Sequence, residues 1–170
     1  MATYLSEHFT KEEMIASDTA RACGINNEPD AIHLKALTHT CQYLLEPFRK
    51  LLGEHFGCEV QVVVTSGYRC PKLNTKIGGS STSDHVRGAA ADVTCYKVKN
   101  GVSIKINPLD VYELVKKWVR EGKLSVNQCI YEVSGASIWV HIAHDPAGKT
   151  CDKREFLKYK NGTYVLDCKF

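Results

Sequence analysis

The stretch SGYRCPKLNTKIGGSSTSDHVRGAAADVTC, residues 66–95, sets Arg69, Ser83, His85 and Asp92 among glycines and alanines. Small residues let backbone segments and ligands approach closely, so polar side chains can converge there without crowding. His85 and Asp92 form the sharpest pair, seven residues apart across Gly88 and the run Ala89, Ala90, Ala91. An imidazole and a carboxylate are two of the N and O ligands of a catalytic zinc ion. Such an ion usually takes three protein ligands and keeps one position open for water. The third ligand must come from an element packed on the Asp92 strand, and His141 in WVHIA qualifies. It lies mid-strand between Val140 and Ile142, where a histidine is costly to bury unless it binds something. One zinc ion per chain is therefore expected on His85, Asp92 and His141. The same donor set suits other first-row metals.

Strands and helices must hold these residues in place. VQVVVTS, residues 60–66, is short, β-branched and bounded by glycines, which predicts a buried strand; AADVTC predicts another. A long loop carrying Pro71, Gly78 and Gly79 is expected between them. Upstream, Leu37, Cys41, Leu44, Leu45, Phe48, Leu51 and Leu52 follow helical spacing, and Pro47 should kink or split that helix. SEHFTKEEM offers Ser or Thr ahead of acidic residues as short helix starts. Asn107 and Pro108 open a helix whose inner stripe is Val111, Leu114, Val115 and Trp118 and which ends at Gly122. QCIYEV and IWVHIA read as two strands around a turn at 134–137, and Asn161-Gly162 marks a C-terminal hairpin. The expected class is α+β: one domain over residues 1–170, with helices packed on one side of a central antiparallel sheet. His144, three residues beyond His141, turns to the opposite sheet face and reads as structural or exposed. His8, His33, His39 and His55 read as surface residues without partners.

Composition narrows the function. With 44% hydrophobic and 24% charged residues, the chain is of ordinary globular make-up. Its net charge of +3 is scattered rather than gathered into a nucleic-acid stripe. No apolar run reaches the ~18 residues of a membrane span. The opening MATYLSEHFTKEE lacks an apolar signal region, so synthesis in the cytoplasm is expected. Eight cysteines without a C-x-x-C clip are then expected as reduced, small core residues. A monomer is expected.

The joint pattern SGYR, SDHVRGAAAD and WVH resembles the zinc D-Ala-D-Ala peptidase family. That family includes D,D-carboxypeptidases and L-alanyl-D-glutamate endopeptidases acting on the peptide stems of bacterial peptidoglycan. The resemblance runs over about residues 5–143; residues 145–170 lie outside it as an extension with no functional reading. It implies zinc on His85, Asp92 and His141, and Arg69 as holder of the carbonyl oxygen as it becomes an oxyanion. A fixed guanidinium aimed at developing charge suits that role. Ser83 would bind substrate backbone, with loop capping as its alternative.

Many relatives carry an acidic residue three before the last histidine, where this chain has Ile138. Glu132 is the replacement. If Val133 and Ile138 close the hairpin, Glu132 lies opposite Trp139 and shares the face of His141. A one-residue register slip would point it away. Asp84 is the reserve base. Trp139 is assigned to the wall of the substrate cleft, with a core aromatic as the alternative. The resemblance thus implies a zinc peptidase of the cell wall, either a D,D-carboxypeptidase or an endopeptidase. The missing export signal suits a phage or prophage lysin that acts after release. Two rivals stand: a non-catalytic zinc-stabilised module of the Hedgehog kind, and a cysteine hydrolase on Cys70 or Cys95.

Overall fold

Period-two alternation organises the protein, described by a computed structural model over residues 2–145 and 154–170. β1 (Val60–Ser66) buries Val60, Val62 and Val64 and exposes the residues between them. It pairs antiparallel with β2 (Ala90–Lys99), setting Val62 against Cys95 and Val64 against Val93. On its other side β2 pairs antiparallel with β5 (Ser137–Ala143), which joins β4 (Gln128–Ser134) through the turn Gly135-Ala136. β3 (Val102–Lys105) folds back on the far end of β2. β6 (Glu155–Lys160) then runs parallel to β4, and β7 (Thr163–Lys169) returns antiparallel beside it around Asn161-Gly162. The order is β1-β2-β5-β4-β6-β7, and with β3 beside β2 these strands make one seven-stranded sheet that is antiparallel except at β4–β6. The expected C-terminal hairpin is therefore no separate add-on: it lengthens the main sheet.

Helices cover one face of that sheet, as expected for this α+β class. Val64, Val93, Val140, Ile142, Cys129 and Phe156 point into a core shared with α3 (Ala31–Thr40), α4 (Glu46–Phe56) and α6 (Pro108–Arg120). Leu37, Leu44, Leu45, Phe48 and Leu52 are fully buried there. Each such side chain contributes about 2 kcal/mol of hydrophobic stabilisation. The helix is split into two, as expected, just ahead of Pro47. A π turn, Cys41–Leu45, joins α3 to α4, and the Glu46 N–H donates to the Cys41 carbonyl. A proline ring collides with the carbonyl four residues back, and the wider turn lets the chain pass it.

Three short helices complete the fold. α1 (Lys11–Ile15) and α2 (Asp18–Ala22) start on Thr10 and Ser17, whose hydroxyls accept from the Glu13 and Ala20 N–H groups. The long loop expected after β1 instead contains α5 (Pro71–Lys76), begun by Pro71 at its first turn. The seven described cysteines are unpaired. Burial pushes the Cys41 and Cys95 thiols up to about 12; Cys151 lies outside the described residues. Among the described residues no helix is long and apolar enough to cross a membrane.

Candidate metal centre

The other sheet face carries the polar residues. Asp92 pairs with His141 across β2–β5, and His141 with Ile130 across β5–β4, so these side chains share one side of the sheet. Glu132 pairs with Trp139, the register that sets it one diagonal step from His141. His85 arrives from the loop between α5 and β2, which is clamped by close backbone contacts. Gly67 packs against α1 so tightly that a Cβ there would meet the Met14 carbonyl oxygen at 2.2 Å. Gly88 has φ +68° and lies against α3, where the Thr40 hydroxyl donates to its carbonyl at 2.8 Å. The glycines of the motif are thus sites of close approach.

Gly67 also orients the first histidine. Its carbonyl accepts from Nδ1 of His85 at 2.6 Å, leaving Nε2 with a lone pair. Nε2 of His85, Oδ1 of Asp92 and Nδ1 of His141 then face one another at 2.9–3.1 Å. All three residues are buried, and their ligand atoms lie within 4.8 Å of one another. Three lone-pair atoms crowded onto one point, with few protons to share, are what a cation relieves. The donor set therefore fits a single metal ion.

Charge reinforces this arrangement. Burial alone would raise the Asp92 carboxyl, but His85 and His141 hold it far below the usual carboxylate range. Burial keeps the His85 imidazole neutral, lowering its pKa despite Asp92. Burial works the same way on His141, yet the hydrogen bond and charge of Asp92 prevail and raise it. Arg69 braces the group from outside: one guanidinium nitrogen donates to Asp92 Oδ2 at 2.6 Å and Nε donates to the Ser66 hydroxyl at 2.9 Å. A guanidinium has five N–H donors, so others remain for a ligand in the cavity that Arg69 lines.

That cavity, about 540 Å³, is also lined by Ser83, Asp84, Glu132 and Trp139. Ser83 Oγ accepts from the His85 N–H at 3.4 Å, so it caps the turn as well as facing the cavity. Asp84 is paired with Arg87. No hydrogen bond or ion pair among the described residues reaches Glu132. Burial, then the charge of Asp92, raises its carboxyl from the ordinary 4.5 to about 7. The indole N–H of Trp139 is buried without a partner among the described residues.

Sequence reading missed two features. Tyr164 and Leu157, from the C-terminal hairpin, form part of the cavity wall. Their signal was only the alternation of EFLKYK and TYVLDC, which does not say where the hairpin docks. Second, His39 is not a partnerless surface residue: its Nδ1 meets Nε2 of the buried His144 at 2.9 Å, with the rings stacked. His8 and His33 are likewise paired, with Glu46 and Asp30. Cys95 faces the helices rather than this site.

Fold and donor set together define a class: α+β proteins able to hold one metal ion on the uncovered face of a mostly antiparallel sheet. The sequence model of the Peptidase M15 family matches residues 7–107, and the chain belongs to that family, whose members are zinc D-Ala-D-Ala carboxypeptidase-like enzymes. No curated protein matches the chain in sequence. The matched segment contains Arg69, His85 and Asp92 and stops ahead of α6, so Glu132, Trp139 and His141 lie beyond it.

Gly67→Ala is expected to destabilise the protein by about 3 kcal/mol, because the obstructing atom is backbone and the α1–β1 junction must move. Since the Gly67 carbonyl also orients His85, zinc affinity should fall about 10- to 100-fold. Urea unfolding and zinc titration check the two effects.

Proposed function

We propose that the protein is a zinc peptidase that hydrolyses an amide bond in the peptide stems of bacterial peptidoglycan. One observation carries this reading: Glu132, a carboxylate without a hydrogen-bond or ion-pair partner among the described residues, stands on the same sheet face as three converging donors in a member of a zinc peptidase family. His85, Asp92 and His141 would hold the ion. Zinc so held would supply Lewis acidity, for a carbonyl and for water. Glu132 takes a proton from the attacking water and returns it to the leaving nitrogen, and its raised pKa suits both transfers. Arg69 donates to the carbonyl oxygen as negative charge builds there. Ser83 binds substrate backbone, and Trp139 with Tyr164 walls the cleft. Asp84, held by Arg87, is the weaker base. In this reading the protein is a phage-type lysin acting on the wall as a monomer.

The test is a mass-spectrometric map of purified peptidoglycan after incubation with zinc-loaded protein. New stem-peptide termini that vanish with chelator are expected, and they name the bond. Intact walls from several bacterial types, despite one tightly bound zinc per chain, would instead mark a non-catalytic zinc module.

A further inference from the structure

A second cavity opens beside the centre. It measures about 500 Å³, shares Asp92 and Trp139 with the first, and has Lys105 in its lining. Thr65, Thr94 and the turn of the β4–β5 hairpin also line it. The β2–β3 register sets Lys105 opposite Tyr96, and Tyr96 is an even number of residues from Asp92. Lys105 therefore belongs to the face that carries the metal donors. No ion pair among the described residues engages its ammonium group.

The acid in this cavity, Asp92, is already committed to Arg69 and the two histidines. What the cavity offers a ligand is the Lys105 ammonium, without an ion pair among the described residues, beside the Trp139 side chain. The ammonium is a charged donor. Such a site takes an anion on a chain that passes the indole.

Resting on the peptidase reading, we propose that this cavity is the carboxylate subsite of the substrate, with Lys105 as its specificity residue. From Asp92 to Tyr96 is about 13 Å along a strand, the reach of about four extended residues. The flexible lysine stem shortens that span. The recognised carboxylate thus lies about two to four residues from the bond that is cut. The carboxylate is either a free C-terminus, which makes the enzyme act near peptide ends, or an acidic side chain, which permits internal cleavage.

The experiment compares zinc-loaded wild type with Lys105→Ala, Lys105→Glu and Lys105→Arg on stem peptides in three forms: the free acid, the C-terminal amide, and the form with its internal side-chain carboxylate amidated. Lys105→Ala should lower kcat/KM on the free acid by about 10- to 100-fold, mainly through KM, as loss of a charge-assisted contact predicts. Lys105→Glu should lower it further, and Lys105→Arg should restore most of it. Amidating the recognised carboxylate should harm wild type by the same factor and leave Lys105→Ala unchanged; whichever amidation does so identifies the carboxylate's source. Equal losses of Lys105→Ala on all three peptides, or no loss, overturn the subsite while leaving the peptidase intact. Absence of chelator-sensitive cleavage by wild type on every form would remove the peptidase reading and the subsite with it.

Discussion

Glu132→Gln should lower kcat on stem peptides by about 100- to 10,000-fold, the range of a lost general base, while the protein still binds one zinc ion. The substitution keeps shape and removes only the proton acceptor. Asp84→Asn, which alters a carboxylate already paired with Arg87, should leave kcat within about fivefold of wild type. A reversed result would transfer the proton-carrying role to Asp84. A pH signature goes with the prediction. Catalysis needs the ionised carboxylate, so the wild-type rate should climb as pH rises through the Glu132 pKa, and bound zinc sets that limb below the zinc-free value of about 7. Glu132→Gln should lose the limb. Stability of the zinc-free protein moves the other way. The folded state keeps the Glu132 proton up to about pH 7, whereas an exposed glutamate releases it near 4.5. Wild-type stability is thus lost as pH rises across that window. Glu132→Gln should therefore be more stable than wild type at pH 8, by about 1–2 kcal/mol after allowance for partial exposure, and no more stable at pH 4. Thermal melts at the two pH values check the sign.

His141→Ala should abolish tight zinc binding and bring turnover down to background. If each protein ligand carries roughly 3 kcal/mol of the affinity of a zinc site, losing one weakens binding by at least about 100-fold. The readout need not be activity. Zinc at about a hundred times its Kd should raise the wild-type Tm by about 5–10 °C, and should leave the Tm of His141→Ala unchanged. Acid should also release the metal. His141 has a raised pKa because Asp92 supports its protonated form, so protons compete with zinc for Nδ1 as pH falls. A zinc affinity equal at pH 5.5 and pH 8, or a zinc-dependent Tm shift that survives His141→Ala, would exclude this donor set.

Local sequence determined much of this protein. Arg69, His85 and Asp92 come from one short stretch, and its glycines announce the tight backbone approaches that Gly67 and Gly88 make. The Glu132–Trp139 pairing was also legible, because a two-residue turn at Gly135-Ala136 sets hairpin register and alternation does the rest. Helix starts at Thr10, Ser17 and Asn107 follow from side chains that accept from nearby N–H groups. Only the tertiary structure decided which strands lie side by side. Nothing local tells β6 to run parallel to β4, yet that pairing lengthens the sheet and brings Leu157 and Tyr164 to the cavity. Nor does spacing along the chain bring His39 against His144, which meet only because α3 packs on the core face. Turns, caps and alternation act over a few residues, and so the sequence displays them. Strand order and docking depend on burying apolar surface between distant segments, and many arrangements satisfy the same local pattern until the whole core closes.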